Sequence, residues 1–287
     1  MEAVITYLAV SGLAPFFQKL GIVGKDLHKK DKRVLPEAMG LVAGIVLVST
    51  LEKNYIAGSV LSGLWIGGLD DIIDIRWRYK LLFSAAAYIF IIAESNTSVS
   101  LFGYLFNLGP IYHIYMILWC IWCGNAINIY AGINGIEVGQ TLIIALGLLF
   151  FCSAKNAIIS YIFVAVALLL HNKFPASVFV GDSWCYLSGM FFVAVARHET
   201  EQLAIIMFPQ IINTILSLPE LTGYKDCPRH RMPKYDESTD KLYHSGYGTL
   251  MNIILWANGP MHELALFYIL VKIQIAAVVC AILIFSY

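Results

Sequence analysis

Charge is scarce in this sequence. Only 13% of its 287 residues are Asp, Glu, Lys or Arg, whereas 59% are hydrophobic. Soluble domains carry about 25% charged residues, so a water-exposed globule does not account for the composition. There is no G-x-x-x-x-G-K-[ST] loop and no dinucleotide fingerprint, which removes two familiar phosphate-cradling motifs. Six cysteines provide no disulfide framework. Cys120 and Cys123 have C-x-x-C spacing, but inside the apolar run 111-IYHIYMILWCIWCG and without a second pair. That is the setting of packing thiols rather than of a zinc or redox site. Internal repeats and low-complexity tracts are absent too. The first apolar run has no basic leader and no small-residue cleavage site, so it reads as an uncleaved helix.

What the sequence does have is a succession of apolar runs with short polar links. Ten candidate spans fall near 3–20, 38–52, 54–69, 81–94, 110–130, 137–153, 156–171, 178–196, 202–218 and 262–285. The expected fold is therefore an all-α polytopic membrane protein of about ten transmembrane helices, a single domain over residues 1–287. With ten spans, 15 of the 19 basic residues lie in alternate links, and the positive-inside rule makes that face cytosolic. Residues 219–261 form the one long loop on this face. Its apolar stretch 250-LMNIILW suits the membrane interface. The sequon Asn96-Thr97-Ser98 falls on the opposite, luminal side.

On this topology each concentration of polar residues at a span end faces the cytosol. Asp70, Asp71 and Asp74 end the third span, followed by Arg76, Arg78 and Lys80. The others are 125-NAINIYAGINGIEVGQ, 178-VFVGDSWCYLSGM and 227-CPRHRMP. Taken singly, each has a plain reading. Asp74 and Arg78 suit an i,i+4 pair, the Gly-Asn segment a turn, and the basic run a lipid-headgroup patch. Asp182 is different, because it sits at the mouth of an apolar stretch with no basic neighbour in sequence. Acids in that position are usually paired or functional. Carboxylate and amide oxygens from several helices suit Mg²⁺ with phosphates as further ligands. Arginines, a histidine and a lysine on the same face suit oxyanions. The combination points to phosphoryl chemistry on an anionic lipid. A transporter with an acidic vestibule and a non-catalytic scaffold stay open on these grounds. The basic links are short and lack a nucleic-acid-binding fold, so DNA and RNA are not expected partners.

The segments 68-GLDDIIDIRWRYKLL, 125-NAINIYAGINGIEVGQ, 179-FVGDSWCYLSGM, 228-PRHRMP and 259-GPMHE resemble those of the polyprenyl-phosphate N-acetylhexosamine-1-phosphate transferases, nearest their eukaryotic dolichyl-phosphate branch. The resemblance runs in order from about residue 21 to 263. It implies a cytosol-facing groove, Mg²⁺, UDP-GlcNAc and dolichyl phosphate as substrates, the endoplasmic reticulum membrane, a homodimer and sensitivity to tunicamycin. Motif by motif, it implies Asn128 and Asp182 as metal ligands and Asp70, Asp71 and Lys80 as catalytic residues, with Lys80 meeting the lipid phosphate. Asn125 lines the same groove. Lys25, Asp26 and Leu27 fall near the uracil end, Phe179 against the base, and Glu37 and Asn134 at nucleotide-sugar contacts. Arg229, His230 and Arg231 reach the sugar and diphosphate. On this reading Asp71 positions Lys80 or metal-bound groups. The chain departs from the family at Lys25 and His28, and its 232–258 loop is shorter than the eukaryotic insert.

Overall fold

The computed structural model describes residues 1–287 except 74, 93–96, 102, 225–230, 287 and the side chain of Trp77. The expected Asp74–Arg78 pair, the sequon's Asn96, and Arg229 and His230 therefore lie wholly or partly outside the described residues. In chain order the helices are α1 (Glu2–Lys19), α2 (Met39–Ser49), α3 (Asn54–Ile73), α4 (Trp77–Ala86), α5 (Ile111–Ile129) and α6 (Ile136–Phe151). They continue with α7 (Lys155–Asn172), α8 (Gly181–Val195), α9 (Thr200–Ile206), α10 (Phe208–Leu221), α11 (Leu250–Asn258) and α12 (Glu263–Phe285). Helical structure thus occupies all ten segments expected as spans. By length and composition α3, α7 and α12 are long and apolar enough to cross a membrane. A fourth crossing arises if α9 and α10, bent by 71° at their junction, are one broken span.

The all-α expectation needs one correction. Three antiparallel hairpins are present among the described residues: β1 (Val23–Lys25) with β2 (Val34–Pro36), β3 (Ser98–Leu101) with β4 (Tyr104–Asn107), and β5 (Lys234–Asp236) with β6 (Lys241–Tyr243). Strands of three or four residues are too short to show a period-2 pattern. They form because the polar links must pair their own backbone groups.

The helix α8 is the axle of the bundle. Every residue from Ser183 to Val195 is buried, as expected of a helix apolar on all sides. It packs most extensively on α3 and α5, with α2 on a third side. The contact with α3 is very close because small residues face it. A Cβ on Gly67 would lie 2.3 Å from the Asp182 carbonyl oxygen, and one on Gly63 would lie 2.6 Å from that of Tyr186. With no side chains between the backbones, the C-terminal end of α3 sits directly on the first turn of α8. This brings Asp70 and Asp71 to Asp182.

The hairpins β1–β2 and β5–β6 lie at that same end. The Phe179 N–H donates to Pro36 O at 2.8 Å and the Met39 N–H to Phe179 O at 3.1 Å, tying the approach to α8 to the end of β2. A bridge between Leu242 and Met261 fastens β6 to the start of α12. Beneath it is a second apolar cluster, including Tyr130, Ile133, Leu242, Met251, Leu255 and Leu266. The β3–β4 hairpin precedes α5, whose C-terminal end faces the site. It therefore stands about one 19-residue helix length, roughly 28 Å, from the site.

Candidate active site

A cavity of about 670 Å³ opens at this end of the bundle. Among the described residues, every candidate named from the sequence lines it except Asp70 and Asp71. The lining includes Lys25, Asp26, Leu27, Glu37, Lys80, Asn125, Asn128, Asn134, Phe179, Asp182 and Arg231. These come from six separate stretches of chain.

Its charged centre is Asp182, in the first turn of α8. One carboxylate oxygen, Oδ2, accepts from Lys80 Nζ at 2.9 Å and from Asn128 Nδ2 at 2.7 Å. The Lys80 ammonium also donates to Asp70, so one cation sits between two carboxylates contributed by α3 and α8. Asp70 is buried, and its Oδ1 additionally accepts from the Ile75 N–H at 2.7 Å. Asp70, rather than Asp71, is therefore the residue that holds Lys80.

Asp71 faces elsewhere. Its Oδ1 accepts the Asp182 N–H at 2.6 Å and its Oδ2 accepts the Ser183 N–H at 3.1 Å. The first amides of a helix lack intrahelical acceptors and carry partial positive charge. Asp71 supplies that acceptor from another helix. Gly181, with φ +73°, lets the two approach, since a Cβ there would come 2.4 Å from the Asp71 carboxylate. Asp71 thus acts on the site through the position of Asp182.

The remaining candidates divide by what holds them. Asn125 Oδ1 accepts from Tyr186 OH at 2.7 Å, and its Nδ2 donates to Ile121 O, so the wall of the cavity is braced by α5 and α8 together. Asn134 turns its Oδ1 onto the Ala176 N–H at 3.0 Å. Gly24 separates Glu37 from Phe179 so narrowly that a Cβ would be 2.9 Å from an atom of each. Asp26 is buried with Lys29 at 3.5 Å, whereas Lys25 and Leu27 are exposed at the mouth. The Arg231 carbonyl oxygen accepts from Asn252 Nδ2 at 3.1 Å, and its guanidinium reaches Ser217 O at 3.4 Å. Sequence reasoning missed Glu137 and Tyr186, which also line the cavity. Glu137 lay inside the quoted segment 125–140, an acid among glycines and isoleucines, and was legible there as an outlier.

Burial raises the Glu37 carboxyl above its ordinary value, and the nearby Asp182 carboxylate adds to the shift. A raised pKa means that the folded chain holds this proton more tightly than the unfolded one. Its favourable contribution is complete below the ordinary 4.5 and is lost as pH rises through the raised value. Gln at this position has no such loss. Glu37→Gln is expected to unfold at a higher temperature than the parent at about pH 7.5, with the gap closing toward pH 4.5, while activity falls. Thermal unfolding across pH checks the sign, and a variant less stable at neutral pH would refute it.

The donor set also limits the metal. Among the described residues no group of three His, Cys, Asp or Glu side chains converges. Asp182 and Asn128 do meet, giving one carboxylate and one amide, and a half-turn of the amide presents its oxygen. Two protein donors do not close a cation's shell. They do fit Mg²⁺, which keeps waters and takes phosphate oxygens from substrate.

A helical, membrane-associated enzyme whose cavity gathers carboxylates, amides and an ammonium for an oxyanion substrate is the class these features define. The chain belongs to glycosyl transferase family 4, whose profile matches residues 54–198. A Dictyostelium discoideum protein named UDP-N-acetylglucosamine–dolichyl-phosphate N-acetylglucosaminephosphotransferase is 31% identical over 90% of this chain and 80% of its own length. A Schizosaccharomyces pombe protein of the same name is 32% identical over 84% of this chain and 70% of its own. The phospho-N-acetylmuramoyl-pentapeptide-transferase of Streptococcus pneumoniae is more distant, at 26% identity over 77% of this chain and 79% of its own.

Proposed function

We propose that the protein transfers GlcNAc-1-phosphate from UDP-GlcNAc to dolichyl phosphate, giving GlcNAc-diphosphodolichol and UMP. The observation that carries this reading is the Lys80–Asp182–Asn128 cluster at the centre of the cavity. It belongs to a chain similar over most of its length to two proteins bearing that enzyme's name. Both substrates are anions that repel each other at close range, and a partly desolvated site strengthens the repulsion. Lys80, held by Asp70 and Asp182, meets the lipid phosphate and offsets it. Asn128 and Asp182 would hold Mg²⁺, which supplies the further positive charge that a diphosphate needs as UMP departs. Arg231, with Arg229 and His230 beside it in sequence, attends the sugar and diphosphate. Phe179 stacks on the base, and Glu37 and Asn134 flank the nucleotide sugar.

The nucleophile is already an oxyanion, since a phosphate monoester's second pKa is about 6. Direct in-line displacement therefore needs no general base. Asp71 is unsuited to covalent catalysis, because both its oxygens are engaged by backbone amides. The wider reading includes ten crossings, the endoplasmic reticulum membrane, a homodimer and inhibition by tunicamycin. The distribution of basic links supports a cytosolic site.

The test uses purified protein in detergent with radiolabelled UDP-GlcNAc and dolichyl phosphate, following butanol-extractable label with and without Mg²⁺. Wild type is expected to make lipid-linked label only with Mg²⁺, and Asp182→Ala to make none at any Mg²⁺ concentration. No label from wild type across several UDP-sugars and lipid phosphates would overturn the reading.

A further inference from the structure

The motif 259-GPMHE plays no part in the cavity lining, yet its glutamate is among the most buried charges in the chain. Glu263, the first residue of α12, is 3% exposed, and its partner Lys29, between β1 and β2, is 8% exposed. The Lys29 ammonium donates to Glu263 Oε2, lies 3.5 Å from Asp26 Oδ2 and sits 4.5 Å above the centre of the Phe174 ring. The other Glu263 oxygen accepts the Asn134 N–H at 2.7 Å. Asn134 in turn accepts the Ala176 N–H, and His28 Nε2–H donates to Pro233 O at 3.1 Å. One chain of polar contacts thus ties together the β1–β2 loop, the 131–135 turn, the approach to α8 and the segment after Arg231.

We propose that the Lys29–Glu263 pair is a positioning strut for the nucleotide-sugar end of the cavity, setting the loops that carry Asp26 and Asn134. This rests on the transferase reading above. Neither residue lines the cavity, so neither touches substrate. A buried ion pair is weak evidence of stabilisation, since packed apolar residues often serve as well. What apolar residues cannot do is fix two loops at hydrogen-bond distance from one carboxylate. Glu263 does this with its two oxygens, one for the ammonium and one for the turn. None of the strut's contacts is with Lys80, Asp182 or Asn128, so its loss should be felt by one substrate and not the other.

The experiment measures kcat and both KM values for wild type, Glu263→Ala, Glu263→Gln and the double variant Lys29→Met/Glu263→Gln. It also records the rise in unfolding temperature that UDP-GlcNAc gives each protein. Glu263→Ala is expected to raise KM for UDP-GlcNAc about tenfold or more, with kcat and KM for dolichyl phosphate within about threefold. Glu263→Gln, which keeps an acceptor for the Asn134 amide, is expected to be milder. The double variant removes both charges, folds even where Glu263→Ala does not, and is expected to retain the selective rise in UDP-GlcNAc KM. The rise in unfolding temperature with UDP-GlcNAc should shrink in step. An unchanged UDP-GlcNAc KM in folded variants, or equal losses toward both substrates, overturns the strut while wild-type activity upholds the transferase reading. A wild type that makes no lipid-linked product overturns both.

Discussion

Lys80→Met is expected to lower kcat for lipid-linked product by about 10²–10³-fold, the size of losing one preorganised charge at a developing oxyanion. Methionine nearly preserves the side chain's length, so the loss isolates the charge. In the parent, Lys80 Nζ donates to Asp70 and Asp182, bringing the end of α3 and the start of α8 together around one cation. Without that cation the two carboxylates face each other across a half-buried site. Removing one partner of a fully buried pair costs about 3–5 kcal/mol. Here that is an upper bound, because the Asp182 side chain is 23% exposed and solvent screens it. Adding Asp70→Asn to Lys80→Met removes the like-charge opposition, so the double variant should regain stability while staying inactive. Thermal unfolding beside initial rates of labelled lipid checks both halves. A double variant that regained activity would show that Lys80 serves only to hold the fold. Lys80→Arg is not expected to rescue, since a planar fork cannot take the place of a point charge between the two carboxylates.

The sequence made the polar end of the bundle legible, but not its internal contacts. Alternation of apolar spans and basic links put Asp70, Asn128 and Asp182 on one face, and the structure brings Asn128 and Asp182 into one cavity and Asp70 onto Lys80 in its wall. Residue types carried that inference only in combination, because carboxylates and amides from several spans on one face suit a hard cation with phosphate ligands. The division of labour between Asp70 and Asp71 could not be read in this way. Neighbours on a helix point about 100° apart, so one meets Lys80 while the other meets the α8 amides. The partners of Asp71 are backbone N–H groups more than a hundred residues away, and backbone donors leave no trace in residue identity. Glu263 entered the sequence reading as the last residue of the segment 259-GPMHE. Its partner Lys29, 234 positions earlier, looked like one of several cations in a basic loop. Long-range pairs of this kind follow from how the loops fold over the cavity, which no local pattern encodes.

Asp71→Asn is expected to impair the enzyme without altering the shape of its pH–rate profile. The carboxylate takes two backbone amides at the N-terminus of α8, one with each oxygen. Asn keeps one acceptor and turns an NH₂ toward the other amide, leaving a buried donor unpaired. Such an orphan costs about 1–3 kcal/mol, and the favourable charge at the helix N-terminus is lost as well. Both effects reach the chemistry through Asp182, whose N–H is one of the two amides and whose carboxylate holds Lys80 and Asn128. A displacement of even 1 Å there is expected to lower kcat about 10²-fold. The decisive readout is the acid limb of kcat against pH. If Asp71 positions Asp182, the limb persists in the variant, because it reports ionisation of the lipid phosphate, whose second pKa is about 6. If Asp71 is instead the base that removes that proton, the limb in the parent reports the ionisation of Asp71, and in the variant it moves to that of the lipid phosphate itself. A phosphorylated enzyme trapped by rapid quench in the parent and absent from Asp71→Asn would overturn both accounts, because it would make the carboxylate a nucleophile despite its two amide partners.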